Sequence, residues 1–165
     1  MSILKATGRI LAAIISSTVP ASAQMPLSQD QAMALVTPIY ADLTASSSSD
    51  VRMFLEKATT EDWQNCATND SCETREETIA RWSGRITRIP DFTFDMREVL
   101  VSGNKIIVRS QAKGSPSEPF MGVPTNGRSF QLMTIDIHEV SDGKIIRTYH
   151  VEDWSKAIRQ LRGEP

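Results

Sequence analysis

The apolar residues of this chain change their period at Asp91. Before it they recur every three or four residues, and from Phe92 to Val151 they alternate every second residue, interrupted by Gly-containing turns. Side chains share a helix face at the first spacing and a strand face at the second, so helices come first and strands after. That order predicts an α+β fold, with N-terminal helices packed on one face of a curved antiparallel sheet.

Residues 1–23 stand apart. "MSILKATGRI" carries Lys5 and Arg9 and no acid, "ILAAIISSTVP" is apolar, and Ala21-Ser22-Ala23 is a small-residue cleavage site. The stretch reads as a secretory signal peptide cleaved after Ala23. Its apolar run falls short of the ~20 residues of a membrane-spanning helix. Residues 24–165 are then one domain with one core, periplasmic or secreted, with no membrane attachment once the leader is gone. The chain carries a net charge of −2, which sets nucleic acid aside as a partner. Cys66 and Cys72 are its only cysteines, in the polar stretch "NCATNDSC". An oxidising compartment favours a disulfide between them over two thiols. Two cysteines without a nearby histidine do not make a metal site.

Ser28 with Gln31 predicts a capping box, followed by a helix through Ala32, Leu35, Val36, Ile39, Tyr40 and Leu43, with Pro38 inside it. Asp50 is expected to cap a second helix through Val51, Phe54, Leu55 and Ala58. "TTEDWQNCATNDSCE" reads as a loop. Thr74 and Glu77 predict another capping box, for a helix carrying Ile79, Trp82 and Ile86 and ending at Pro90. Two hairpins follow, turning at 102–104 and at Asp142-Gly143, and a short C-terminal helix starts near Asp153. Between the hairpins, "SPSEPFMGVPTNG" is a loop.

In "RSFQLMTIDIHEV", Phe130, Leu132, Thr134, Asp136, His138 and Val140 share one face, and Met133, Ile135, Ile137 and Glu139 the other. The outward face of an antiparallel sheet is normally polar. Apolar residues there predict a second layer, most simply a homodimer formed through the sheet face.

The last third resembles the SnoaL-like branch, many members of which are called ester cyclases, of the nuclear-transport-factor-2-like superfamily. The residues that carry the resemblance are Phe120-Met121-Gly122-Val123-Pro124, Gly127-Arg128, Phe130, Ile135-Asp136-Ile137, Asp142-Gly143-Lys144-Ile145, Tyr149, Asp153 and Gln160-Leu161. The resemblance implies a cone-shaped fold around a small-molecule pocket. It also implies acid/base catalysis without cofactor or metal, as an aldol-type cyclisation or an isomerisation of a carbonyl compound. In the polyketide cyclases of this branch an Asp at the place of Asp153 is the acid/base, and a pocket His lies near His138. Ketosteroid isomerase shares the fold and uses a pocket Asp near the place of Asp136. The alternative is the same cone as a non-catalytic binder of an apolar ligand, or as a dimeric accessory subunit.

Two readings stand for Asp153, a helix cap and a pocket carboxylate. Two stand for His138, a satisfied core histidine and a proton-transfer group. On a regular strand His150 faces away from Asp153, at a structural or interface position; a bulge near the strand end reverses that. Asp153, His138 and Asp136 are therefore the catalytic candidates. Trp63, Trp82, Phe120, Tyr149 and Phe54 are the ligand-binding candidates, each with plain core packing as its alternative.

Overall fold

The computed structural model describes residues 26–44, 47–117 and 119–164. The leader expected over residues 1–23 lies outside the described residues. Four helices and six strands follow one another as α1 (Gln29–Asp42), α2 (Ser48–Ala58), β1 (Thr59–Cys66), β2 (Cys72–Thr74), α3 (Arg75–Arg88), β3 (Thr93–Ser102), β4 (Lys105–Gly114), β5 (Phe130–Ser141), β6 (Lys144–Glu152) and α4 (Trp154–Arg162). The strands form one curved sheet in the order β2-β1-β6-β5-β4-β3.

Both expected capping boxes are present. The Ser28 hydroxyl accepts from the Gln31 amide while the Gln31 side chain accepts from the Ser28 amide, and Thr74 and Glu77 repeat the arrangement on α3. Pro38 sits inside α1. The cap of α2 is Ser47 rather than Asp50; Asp50 lies in the first turn, where its charge faces the positive end of the helix dipole. Asp153 caps α4, and Ala157 and Leu161 are buried under it as the spacing predicted.

Two features depart from the sequence reading. The stretch read as a loop after α2 holds β1 and β2. β1 runs parallel to β6, so the sheet is mixed, with its other pairs antiparallel. Glu61, Asp62 and Asn65 are residue types depleted in strands, and β1 lacks a run of apolar β-branched residues; pairing with β6 overrides this. The second departure is a bulge in the β5–β6 hairpin. Ser141 pairs with Lys144 and Val140 with Ile145, but Glu139 pairs with Arg147, which leaves Ile146 as an extra residue. A one-residue slip moves every later side chain to the opposite face.

The concave face carries the core. Val36, Ile39 and Tyr40 of α1 and Val51, Phe54 and Leu55 of α2 pack on Ile106, Val108, Val140 and Ile145. Ala157 and Leu161 of α4 pack on Ala112, Phe130 and Leu132. The β5 alternation is as predicted: Phe130 through Val140 are buried on one side, and Met133 and Ile135 are exposed on the other. Where α3 runs into β3, a Cβ at Gly114 would come within 2.4 Å of the Ile89 side chain, so the glycine makes room for Ile89. Among the described residues no helix is long and apolar enough to cross a membrane.

Cys66 and Cys72 form a disulfide between directly paired positions of β1 and β2. It closes a short loop and so removes a limited amount of unfolded-state entropy. Cys72→Ser is expected to lower unfolding free energy by about 2 kcal/mol, read from urea midpoints with and without reductant. A variant with unchanged midpoint would mean that the bond does not hold β2 on β1.

Candidate active site

A cavity of about 500 Å³ opens between the concave face of the sheet, α1, α3 and the 119–121 loop. Its walls are mainly apolar and aromatic, with Trp63, Trp82, Phe92, Phe94, Phe120 and Trp154 among them. At its base lie Asp136 and His138 from β5 and Thr148, His150 and Glu152 from β6. Cross-strand pairing brings them together, since Asp136 faces His150 and His138 faces Thr148.

These groups form a directed chain of hydrogen bonds. The Trp63 indole N–H donates to Thr148 Oγ1 at 3.0 Å. Thr148 Oγ1 and His138 Nδ1 are 2.9 Å apart, and His138 Nε2 and the Tyr40 hydroxyl 3.1 Å apart. The Tyr40 hydroxyl donates to Asp136 Oδ2 at 2.6 Å. An indole can only donate and a carboxylate only accept, so one proton arrangement satisfies every link. Thr148 donates to His138 Nδ1, and a neutral His138 donates from Nε2 to Tyr40. On its other oxygen Asp136 accepts from His150 Nδ1 at 2.5 Å, and His150 Nε2 lies 3.3 Å from Glu152 Oε2.

Charge follows geometry. Burial disfavours the His150 imidazolium, but the Asp136 charge and the bonds to Asp136 and Glu152 outweigh it and push its pKa up to about 10. Burial likewise raises Asp136, yet the charge and hydrogen bond of His150, then His138 and Tyr40, hold it below the usual carboxylate range. Burial lowers His138, with Asp136 opposing and His150 adding to the effect, so it stays neutral. Burial and then the Asp136 charge push the Tyr40 hydroxyl well above its ordinary value. At neutral pH the cavity wall therefore carries an imidazolium clamped between two carboxylates, with a neutral imidazole beside it.

The expected residues divide clearly. Asp136, His138, Trp63, Trp82 and Phe120 line the cavity. Phe54 is buried in the helical core and does not reach it. Asp153 is exposed, accepts from the Lys156 amide and the Ser155 hydroxyl, and lies outside the lining. Its cap reading is the one that the geometry supports. Tyr149 lies on the convex face opposite Ile137. His150 does face away from Asp153, as strand alternation requires, but it is His150 that lies in the cavity and Asp153 that lies outside.

One cause covers Tyr149 and His150. A regular ladder from the Asp142-Gly143 turn would set Asp136 opposite Tyr149, and the bulge at Ile146 sets it opposite His150. The same slip turns Glu152 inward, one residue before the Asp that the sequence singled out. Tyr40, Thr148 and Glu152 were missed as site residues. The available signal for Glu152 and His150 was their two-residue spacing, which puts both on one strand face. No group of three or more His, Cys, Asp or Glu among the described residues could hold a metal ion.

Helices packed on a curved mixed sheet, with a short C-terminal helix, make this a nuclear-transport-factor-2-like α+β fold. The chain belongs to the SnoaL-like polyketide cyclase family, whose sequence model matches residues 35–161. No curated protein matches the sequence significantly. Among solved structures, TsrD from Streptomyces laurentii is similar over 82% of this chain and 97% of its own, with TM-score 0.70 and 20% identity. IdmH from Streptomyces antibioticus, a candidate polyketide cyclase, is similar over 80% and 99%, with TM-score 0.68 and 23% identity. An LEH-like epoxide hydrolase of M. tuberculosis is similar over 81% and 91%, with TM-score 0.61 and 13% identity. At these identities the likenesses establish the fold.

The shifted groups set a pH profile for stability. His150 binds its proton more tightly folded than unfolded, so its contribution is complete below pH 6.5 and is lost as pH rises toward about 10. His138 binds its proton less tightly folded, so stability falls as pH drops below 6.5. Asp136 adds to the acid limb, losing its contribution as pH falls from 3.8 through its lower folded value. Urea unfolding from pH 3 to 10 is expected to peak near neutrality, and His150→Gln should flatten the alkaline limb. An alkaline limb unchanged in that variant would show that His150 is not held protonated.

Proposed function

We propose that this protein catalyses a cofactor-independent acid/base reaction on a small carbonyl compound, an aldol-type cyclisation or an isomerisation. The observation that carries the reading is the His150–Glu152 pair, an imidazolium and a carboxylate side by side at an apolar cavity. Such a reaction needs a base for the proton next to the carbonyl and a donor for the enolate oxygen.

Asp136 is engaged by two short bonds from Tyr40 and His150, whereas Glu152 makes a single contact of 3.3 Å. Glu152 is therefore the base. It takes the α-proton, becomes the neutral acid, and returns the proton to the product. His150 Nε2–H turns to the developing oxyanion as a charge-assisted donor and stays protonated throughout. Asp136 fixes the tautomer and orientation of His150 through Nδ1. His138 is the link that holds Tyr40 against Asp136, and it keeps its proton. Membership of a polyketide cyclase family supports carbonyl chemistry over the epoxide opening of the mycobacterial epoxide hydrolase.

Export is part of the same proposal, supported by the leader-like sequence of residues 1–23 and by the Cys66–Cys72 disulfide. So is a homodimer through the convex face, where Met133, Ile135 and Val151 are exposed. Sedimentation at micromolar concentration should give a dimer that Ile135→Lys dissociates. A monomeric wild type would remove the dimer from the proposal.

The chemistry is read without knowing the natural substrate, by proton NMR of α-hydrogen exchange into D2O for a panel of β-keto esters and cyclic ketones. Wild type should accelerate exchange for at least one member. Glu152→Gln should slow it by ~10²-fold or more. Asp153→Asn keeps a capping oxygen and should leave the rate within about twofold. If Asp153→Asn abolishes exchange and Glu152→Gln does not, the base is assigned to the wrong carboxylate. If wild type gives no acceleration, the catalytic reading falls and ligand binding alone remains.

A further inference from the structure

We propose that the cavity takes its ligand as a carboxylate, with the anionic end on Arg85 and the apolar body along Phe92, Phe94 and Trp82. This deepens the proposed function by naming a substrate class, a keto acid, and rests on the same cavity.

The charged groups of the lining are unequal in number. Arg81, Arg85, Arg88 and protonated His150 are four cations, against the two carboxylates Asp136 and Glu152. The chain as a whole is net negative at −2, so the excess of cations is local to the cavity. The arginines come from one helix, α3, at positions spaced by four and then three residues, which places them along one face.

Two of the three are occupied by their own surroundings. Arg81 forms an ion pair with Glu73 at 2.8 Å. Arg88 is exposed and its Nε donates back to the Gly84 carbonyl. Arg85 differs. It has no carboxylate within ion-pair distance among the described residues, and its Nε is buried without a hydrogen-bond partner. Its guanidinium lies over the Phe92 ring at 4.2 Å, and one nitrogen, Nη2, donates to the Leu43 carbonyl at 2.6 Å.

A guanidinium has five N–H donors in one plane, and the bond to Leu43 uses one of them. Its place over the Phe92 ring restricts the guanidinium, and donors beyond the one on Leu43 remain for a planar anion, which arginine binds bidentately. Burial pulls the pKa of Arg85 down to about 10, with Glu152 opposing, so it remains a cation at neutral pH. A buried cation without a close counter-ion is costly, and a ligand carboxylate removes that cost. The same cavity holds Arg85 and His150, so a keto acid with its carboxylate on Arg85 can turn its carbonyl toward His150.

The competing account gives Arg85 a structural role alone, tying α3 to the C-cap of α1 through Leu43. Binding at pH 7 separates the two, using 3-benzoylpropionate and its methyl ester as probes. Their binding is followed by calorimetry and by the fluorescence of Trp63 and Trp82, which line the cavity. The acid should bind at least ten-fold more tightly than the ester, and the gap should narrow as salt is raised. Arg85→Met should bring the acid down to the level of the ester and leave the ester unchanged; Arg85→Lys should keep part of the gap. Should Arg85→Met fail to fold, the wild-type ratio and its salt dependence decide the matter alone. An ester that binds as tightly as the acid, no saturable binding of either, or an acid preference intact in Arg85→Met would overturn the proposal. None of these readouts needs turnover, so they stand or fall separately from α-hydrogen exchange.

Discussion

A carboxylate at the base of an apolar cavity must be compensated, and Asp136 is compensated from both sides. Tyr40 reaches it from α1 and His150 from β6, each by a short hydrogen bond. The compensation extends further, because Tyr40 is itself held by His138, His138 by Thr148 and Thr148 by the Trp63 indole. Four elements are registered against one another by this single run of donors: α1, β1, β5 and β6. Every polar atom in it has a partner, which is the condition under which a buried polar network specifies a structure. Removing any one member strands its neighbours in a low-dielectric site, where an unpaired group is expensive.

The same compensation gives the site its chemical character. A lone buried histidine would be neutral, as His138 is. Placed between Asp136 and Glu152, His150 is a cation at the pH where an ordinary imidazole has lost its proton. Two histidines on neighbouring strands, two positions apart in register, thus take opposite roles for a stated reason: one accepts a hydrogen bond from a neutral hydroxyl on Nδ1, the other directs both its N–H groups at carboxylates. Across the cavity, α3 supplies further positive charge, and the walls between are aromatic. An apolar vault with a charged donor, a carboxylate and a separate guanidinium is suited to holding a small oxygenated compound in one orientation.

Much of the fold was legible in the sequence because local chemistry dictated it. Ser28 with Gln31 and Thr74 with Glu77 mark helix starts by hydrogen bonds that span three residues, and Asp142-Gly143 marks a hairpin turn with equal locality. The alternation from Phe130 to Val140 put Asp136 and His138 on the concave face for the same reason. What escaped the sequence was set by partners far along the chain. β1 is a strand because β6 pairs with it, despite the strand-disfavouring Glu61, Asp62 and Asn65. The bulge at Ile146 has no local signature, and it reverses the faces of Tyr149, His150 and Glu152. Asp153 drew attention as a conspicuous acid before a helix, and capping accounts for it. Glu152 beside it had nothing to distinguish it until the register was known.

The central claim is that Asp136 holds His150 as an imidazolium at the cavity wall. Titrating the imidazole nitrogens by ¹⁵N NMR, in wild type and in Asp136→Asn, tests it most directly. The account predicts a wild-type His150 that remains doubly protonated at pH 8, and a pKa that falls by more than one unit in Asp136→Asn as the charge is withdrawn. A His150 that titrates near 6.5 in wild type, or one whose pKa is indifferent to Asp136→Asn, would contradict it.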